Sequence, residues 1–431
     1  MNESIIPGWV LGNGRIDEGD FCEEFLTTHK MIYCDGAFFT VDGKLGNEMA
    51  LRKEIFDEIA PFVQCSPARK VDSILQTLKM VAYREKLPYQ ELVIHTANGA
   101  YHMEHGFIPQ KTFCRYRLPV NFNEDAPEPK LWLQFLKELL HEEDIWTLQE
   151  YMGYCLVPVT YGQKMLIITG KGGEGKSRIG VVMKALFGNN MNQGSLAKIE
   201  TSPFARADLE HALVMVDDDL KMEALSSTNH IKSIVTAENA MDLERKGLQS
   251  YQARLTCRFM AFGNGTLRAL HDRSNGFFRR QIILTAKEPD PNRVDDPYLG
   301  KRLTQEAEGI LNWALEGLLR LIGNDFRFYI SPRAQENMRQ SISESVNIPE
   351  FLKSEGYIHL CPEGKTPSKA LYESYREWCE DNCTMALSSK SFLSWLRQNQ
   401  HSWGLHYDGS IPIGNGKRAR GFTGIRICSR F

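Results

Sequence analysis

Apolar residues follow two rhythms along this chain. Between residues 164 and 286 they come as short unbroken runs, "MLIIT", "ALVMVDDD", "CRFMAFGN" and "RQIILT", with helical segments between them. A run apolar at every position reads as a strand covered on both faces. With the intervening helices, the four together imply a three-layer α/β domain. Elsewhere the spacing of three and four dominates. "SRIGVVMKALFG" predicts a helix stopped by Gly188, and "EAEGILNWALEGLLRLIG" a helix closing the domain. Upstream, Leu131, Phe135, Leu139, Ile145, Leu148 and Met152 keep helical spacing after the Asn-, Asp- and Pro-rich connection "NFNEDAPEPK".

The first 120 residues mix strand-like runs ("MIYCDGAFFTV", "ELVIHTANGAYHM") with a helix over "ARKVDSILQTLKMVAYREK". Beyond Asp325 the pattern predicts a polar helix over about 332–355 and then a compact unit. In that unit "TPSKALYESYREWCEDN" sets Leu371, Tyr375 and Trp378 on one helical face. "SSKSFLSWLRQN" follows as a second helix capped by Ser388 or Ser389. "LHYDGSIPIGNGKRARGFTGIRI" predicts two strands joined by a Gly-rich basic loop. Helix, helix and basic hairpin form a winged-helix pattern.

Composition changes this picture little. A chain of 431 residues is too long for one ordinary core, so two to four domains are expected. Apolar content of 42% with 24% charged residues is that of a soluble globular protein. No apolar run approaches the ~20 residues needed to span a bilayer. The N-terminus lacks a basic start followed by an apolar block, so a cytoplasmic protein with no membrane partner is expected. The ten cysteines contain no C-x-x-C pair; Cys379 and Cys383 lack a second pair to complete a zinc site and read as reduced thiols. A net charge of −3 argues against a uniformly basic coat for nucleic acid. Yet the segment from Gly409 to Phe431 holds five basic residues (Lys417, Arg418, Arg420, Arg426, Arg430) and no acidic one.

The chemistry centres on "ITGKGGEGKSRIG", which has the form G-x-x-x-x-G-K-S between an apolar strand and a helix. Gly170, Gly172, Gly173 and Gly175 permit a backbone path whose N–H groups face a phosphate chain at a helix N-terminus. Lys176 would neutralise β- and γ-phosphate charge, and Ser177 would hold Mg²⁺, so ATP and Mg²⁺ are the expected cofactors. Downstream, the strand ending in Asp217, Asp218 and Asp219 supplies a metal partner, assigned to Asp217, and a group polarising water, assigned to Asp218. Asn264 in "FGNG" would reach the γ-phosphate or the water. Arg280, with Arg279 beside it, would complete a neighbouring subunit's site.

This order of strand, loop, acidic pair, Asn and Arg resembles the superfamily 3 helicases, hexameric AAA+ motors of viruses, phages and plasmids. The closer resemblance is to the phage/plasmid primase-helicase family that includes the poxvirus-type helicases, and it spans roughly residues 90–430. It rests also on "NGAYHMEHGFIPQ", "YRLPVNFNEDAPEPKLWLQFL", "LQEYMGYCL" and "EGILNWALEGL". The resemblance implies an N-terminal α+β domain (1–120), a helical collar (121–160), an AAA+ ATPase/helicase domain (161–325), a helical linker (326–355) and a winged-helix domain (356–431). It also implies a DNA-gripping hairpin within "ENAMDLERKGLQSYQ", with Arg245 and Lys246 at its tip, where propensity alone favours helix. In the wing, Lys417, Arg418 and Arg420 would contact phosphates.

The implied protein is an ATP-dependent DNA helicase for replication of a phage or mobile element. It would form a homo-oligomeric ring, by resemblance a hexamer, on single-stranded or forked DNA, with a separate primase or polymerase as a further partner. Two departures stand out. Glu174 sits where the family often has Asn, and an acid there is tolerated beside phosphates only if it points outward. The segment before residue 90 is also too short for a primase catalytic domain. The alternatives are a nucleotide-gated replication initiator that unwinds little, and a metabolic P-loop enzyme indifferent to DNA.

Overall fold

The computed structural model describes residues 6–12, 15–63, 65–87, 90–220, 225, 227–247, 249–264, 275–345, 347–382, 384, 386–412 and 417–428. Cys383, Arg430 and the hairpin residues 413–416 lie outside the described residues. The predicted apolar strands join one sheet of five: β1 Met165–Thr169, β2 Met191–Gln193, β3 Val214–Leu220, β4 Arg258–Gly263 and β5 Gln281–Thr285. Their order is β5-β1-β4-β3-β2, and every pairing is parallel. Four of the five are the continuously apolar runs, and β1 is buried at every position. Only β2 escapes the pattern, because three residues, two of them polar, carry no periodic signal.

One irregularity shapes the acidic end of the sheet. Ala261 pairs with Asp217, but Gly263 pairs with Leu220, so β3 carries one more residue than β4 across that stretch. Gly263 makes the slip possible: a Cβ there would come within 2.8 Å of the Leu220 carbonyl oxygen. Such bulges bend a strand and re-aim its side chains.

Helices Lys130–Leu139 and Glu142–Cys155 bury Trp132, Leu136, Leu148, Tyr151 and Tyr154 in the same apolar core as Leu166, Ile168 and Met260 of the sheet. Helix Ala307–Gly323 presses on Glu142–Cys155 at glycines. A Cβ on Gly153 would meet the Ala314 carbonyl at 2.3 Å, and one on Gly317 would meet that of Gln149 at 2.4 Å. Arg320 seals this contact through Glu150 (2.8 Å), whose other oxygen accepts from Tyr329 N (2.7 Å).

The chain before this core folds around a separate apolar cluster. Helices Glu18–Thr28, Glu48–Ile59 and Pro67–Val81 bury Phe21, Phe25, Leu51, Ile55, Leu75 and Leu78. The first strand-like run becomes a hairpin, Met31–Cys34 with Ala37–Thr40, turning on Asp35 (φ 50) and Gly36 (φ 74). Both central residues at positive φ are what a tight hairpin turn requires. The second run becomes a three-stranded meander, Val93–Thr96, Gly99–His102 and Gly106–Ile108.

Cα packing divides the chain into two units, one of them Met1–Glu223, Thr228–Leu267 and Arg279–Asn337. The other contains Met338–Phe431 with two short stretches, Ala224–Ser227 and Arg268–Phe278. In it the predicted polar helix is two pieces, Pro332–Ser345 (which spans the unit boundary) and Ile348–Leu352. Both predicted helices follow, at Ser368–Asp381 and Ser389–Asn399, the second capped by Ser388 Oγ accepting from Ser391 N (3.2 Å). The hairpin strands are His406–Pro412 and Arg418–Ile427. A third strand, Ile358–Pro367, pairs with Arg418–Ile427 and puts it in the middle of an antiparallel sheet. Its Pro362 and Gly364 hid it from the sequence. Phe351, Tyr375, Trp378, Phe392, Phe422 and Ile425 form the core.

Candidate functional site

β1 delivers the chain into the glycine loop, and helix Ser177–Phe187 carries it away. Gly172, Gly173 and Gly175 have φ of 108°, 83° and 102°, a region that side chains resist, so the loop's path depends on them. Gly170 serves differently: its missing Cβ leaves room for the Lys176 ammonium, which a Cβ would approach to 2.8 Å. The loop opens on a cleft of about 1730 Å³. Lys176, Ser177, Asp218 and Asn264 all line it, so the structure gathers four predicted residues in one place. Asn264 Oδ1 accepts from Lys176 Nζ at 3.4 Å.

Asp217 is not with them. Its carboxylate accepts from Leu196 N (2.8 Å) and Asp219 N (3.4 Å), and it is absent from the cleft lining. Burial pushes its carboxyl up against the lowering effect of those two N–H groups. The cleft receives Asp218 and Asp219 instead. Strict alternation would send Asp217 and Asp219 to one face. The extra residue in β3 breaks that parity and turns both later aspartates toward the loop. Asp218 lies near helix Ser177–Phe187, its Oδ1 4.0 Å from where a Cβ on Gly180 would stand. Asp217, the expected metal partner, is thus held by backbone N–H groups, while Asp218 borders the cleft.

Glu174 also departs from expectation: it points inward. Its side chain is 2% exposed, with Oε2 accepting from Lys176 Nζ (2.6 Å) and Oε1 from Gly172 N (2.8 Å) and Lys171 N. The opposite wall holds residues the sequence did not single out. Arg293 donates to the carbonyls of Gly173 (2.8 Å) and Glu174 (3.0 Å), and Lys171 pairs with Glu288. Leu131, Phe135, Leu139 and Leu299 supply an apolar wall, Phe135 lying 3.7 Å from where a Cβ on Gly175 would stand. Arg293 lies in a loop rich in Pro and Asp, which has no periodic signature. Only its proximity in the fold identifies it.

Arg280 lies at the far end of the sheet. Its carbonyl accepts from Met165 N (2.8 Å), the first residue of β1, while the loop follows the last. Five residues of strand separate the two, roughly 16 Å at the usual rise. Arg280 does not line its own chain's cleft. Arg279, beside it, is exposed, and Lys164 donates to its carbonyl. Burial, then the charges of Arg279 and Arg280, lower the Lys164 ammonium.

The hairpin implied by resemblance is present as Met241–Leu243 paired with Tyr251–Ala253. Arg245 does not stand free at the tip. It pairs with Glu210 (2.5 Å), which also accepts from Tyr251 Oη (2.6 Å), and its guanidinium lies 5.6 Å from the Tyr251 ring centroid. Arg245 and Lys246 line a second cleft of about 1000 Å³, with Lys44, Lys111 and Arg115 across from them. In the other unit, Lys417 and Arg420 are exposed. Arg418 is exposed too, but folds across the hairpin and donates to the Ser410 carbonyl (2.7 Å) and to Ser410 Oγ (2.7 Å).

A family model described as a family of unknown function (DUF5906) matches residues 168–280. Among solved structures, the chain is similar to the NrS-1 C-terminal region in its A-form apo structure. That match has 12% identity and a TM-score of 0.53, covering 95% of this chain and 100% of that one. A second apo structure of the NrS-1 C-terminal region matches with 12% identity and a TM-score of 0.54, covering 95% and 99%. At that identity the likeness is one of fold. Among the described residues no helix is long and apolar enough to cross a membrane.

Proposed function

We propose that this chain is an ATP-dependent DNA helicase of the superfamily 3, AAA+ type, acting in replication of a phage or mobile element. One observation carries the reading. The glycine loop, Ser177, Asp218 and Asn264 meet in one cleft at one end of a parallel sheet of order β5-β1-β4-β3-β2, while Arg280 sits at the other end. A cleft with its arginine so far away suits a site completed by a neighbour's arginine, and hence a ring built from head-to-tail contacts. The second unit's topology, a helix, a strand, two helices and a two-stranded hairpin, suits a winged-helix domain.

The residues present fit a nucleoside triphosphate with Mg²⁺. The positive-φ glycines leave backbone N–H groups free of Cβ obstruction, and Ser177 and Asp218 border the same cleft with oxygen donors that a hard cation prefers. A bound Mg²⁺–ATP supplies the electrophilic phosphorus and the energy of its hydrolysis. Lys176 would neutralise phosphate charge, Ser177 and Asp218 would hold the cation, and Asp219 and Asn264 would orient the attacking water. The apolar wall around Phe135 suits the face of a nucleobase. Arg245 and Lys246 of the hairpin, with Lys417 and Arg420 of the second unit, would contact the phosphate backbone of DNA without reading bases.

The test is ATP hydrolysis and strand separation on forked DNA by wild type, Lys176→Ala, Arg280→Ala and an equal mixture of the two variants. DNA-stimulated hydrolysis with unwinding is expected, lost in each variant and partly restored on mixing. Hydrolysis indifferent to DNA and to Arg280→Ala would overturn the helicase reading in favour of a metabolic enzyme. Tight duplex binding with little unwinding would favour the replication initiator.

A further inference from the structure

We propose that Glu174 is a specificity-determining residue of the loop: its carboxylate fills the phosphate-binding nest until a polyphosphate displaces it. The inference rests on the nucleotide reading above. A loop built of N–H donors and a lysine faces a physical difficulty when no ligand is bound. Its donors and its ammonium are turned inward, and Lys176 is only 7% exposed. A buried ammonium without a counter-charge is costly. Glu174 resolves this from within the loop, two residues before the lysine it pairs with.

The fit is close. One oxygen takes the Lys176 ammonium and the other takes the N–H groups of Lys171 and Gly172, the same classes of donor a phosphate oxygen would take. Gly170 is part of the arrangement, because a Cβ at that position would come within 2.5 Å of Glu174 Oε1. Burial disfavours the charged carboxylate, but Lys176 and the backbone N–H groups outweigh it and hold the carboxyl below its ordinary range. Glu174 is thus an anion at neutral pH. Arg293 holds the loop from outside through the Gly173 and Glu174 carbonyls, so the self-occupied form is braced on both sides.

Binding is then an exchange of anions rather than an addition. Inorganic phosphate or a nucleoside monophosphate brings little more charge than the carboxylate it must expel. A di- or triphosphate spans both the nest and the following helix N-terminus, so the exchange favours it. Charge-assisted hydrogen bonds are the strong ones, and breaking those to Glu174 lowers affinity for every anion. The weak anions are excluded first. A neutral amide at this position would leave the nest open.

The experiment measures binding of ATP, AMP and inorganic phosphate to the full chain by calorimetry, for wild type, Glu174→Asn, Glu174→Gln and Lys176→Ala. Both amide variants should bind ATP about tenfold or more tightly than wild type, the scale expected for losing a charged competitor. They should also acquire measurable affinity for AMP or phosphate. Their ligand-free melting temperature should fall, because Lys176 loses its counter-charge. That measurement also verifies folding, and the isosteric Glu174→Gln guards against a packing defect in Glu174→Asn. ATP affinity in folded amide variants equal to or below that of wild type would overturn the proposal while leaving nucleotide binding intact. No ATP binding by wild type or either amide variant would overturn both.

Discussion

Asp217 and Asp218 are adjacent in sequence and opposed in structure. The first holds the backbone N–H of Leu196, and the second borders the cleft. On the proposed reading, Asp218→Asn should cut ATP turnover by about a hundredfold or more without moving the melting temperature. Asp217→Ala should keep most turnover and lose about 1 kcal/mol of stability, the usual scale for a backbone N–H left uncapped. Steady-state hydrolysis with chemical denaturation of both variants would decide, and the reverse pattern would assign the metal partner to Asp217. Two histidines set an acid limit. Burial, then Arg117 and His102, lowers His95 to about 4, and burial, then Lys44, Arg115 and Arg245, lowers His211 to about 3. Both are neutral in the folded protein between those values and the ordinary 6.5, where the unfolded chain binds the proton. Stability should thus be full above pH 6.5 and fall on acidification toward pH 4, by at most about 1.4 kcal/mol per pH unit for each histidine. His211→Gln should flatten that slope in urea titrations; an unchanged slope would exclude His211 as a source.

At the scale of elements, the contact between helices Glu142–Cys155 and Ala307–Gly323 is set by what is missing. Gly153 and Gly317 each let backbone meet backbone, and a methyl group at either would overlap a carbonyl oxygen. Gly317→Ala should lose about 1–3 kcal/mol in denaturant unfolding, in line with other overpacked contacts; a neutral result would mean the helices separate at little cost. The hairpin Met241–Leu243 with Tyr251–Ala253 is held differently, by Glu210 reaching Arg245 and Tyr251. Glu210→Gln should speed amide exchange across residues 241–253 with little change in the melting temperature, since the Glu210 carboxylate ties down Arg245 and Tyr251 of this element. Unaltered exchange would show that the hairpin holds itself. The same elements explain what the sequence could reveal. Four strands of the parallel sheet were readable because burial on both faces leaves an unbroken apolar run. β2 and Ile358–Pro367 were not, since one is three residues long and the other is interrupted by Pro and Gly. The loop and Asn264 were readable from residue type and order. The inward turn of Glu174 and the parity change at Asp217 were not, because the first depends on the path the loop takes in three dimensions and the second on pairing with a strand distant in sequence.

At the scale of the molecule, β1 links the two ends of the parallel sheet. One end of that five-residue strand feeds the glycine loop, and the other donates a backbone hydrogen bond to Arg280. The loop and the arginine are thus fixed to one stiff element, and neither is expected to shift without the other. On the proposed reading, a lone protomer holds its nucleotide in one place and offers its arginine in another, and neither serves the other within the same chain. Hydrolysis per protomer should then rise with protein concentration and level off once assembly is complete. A rate per protomer constant across a hundredfold dilution into the nanomolar range, with light scattering reporting monomers, would contradict this. On that reading, the separation built into one short strand would make activity in a cell a threshold function of copy number: dormant while few protomers are present, and switched on once enough accumulate to assemble.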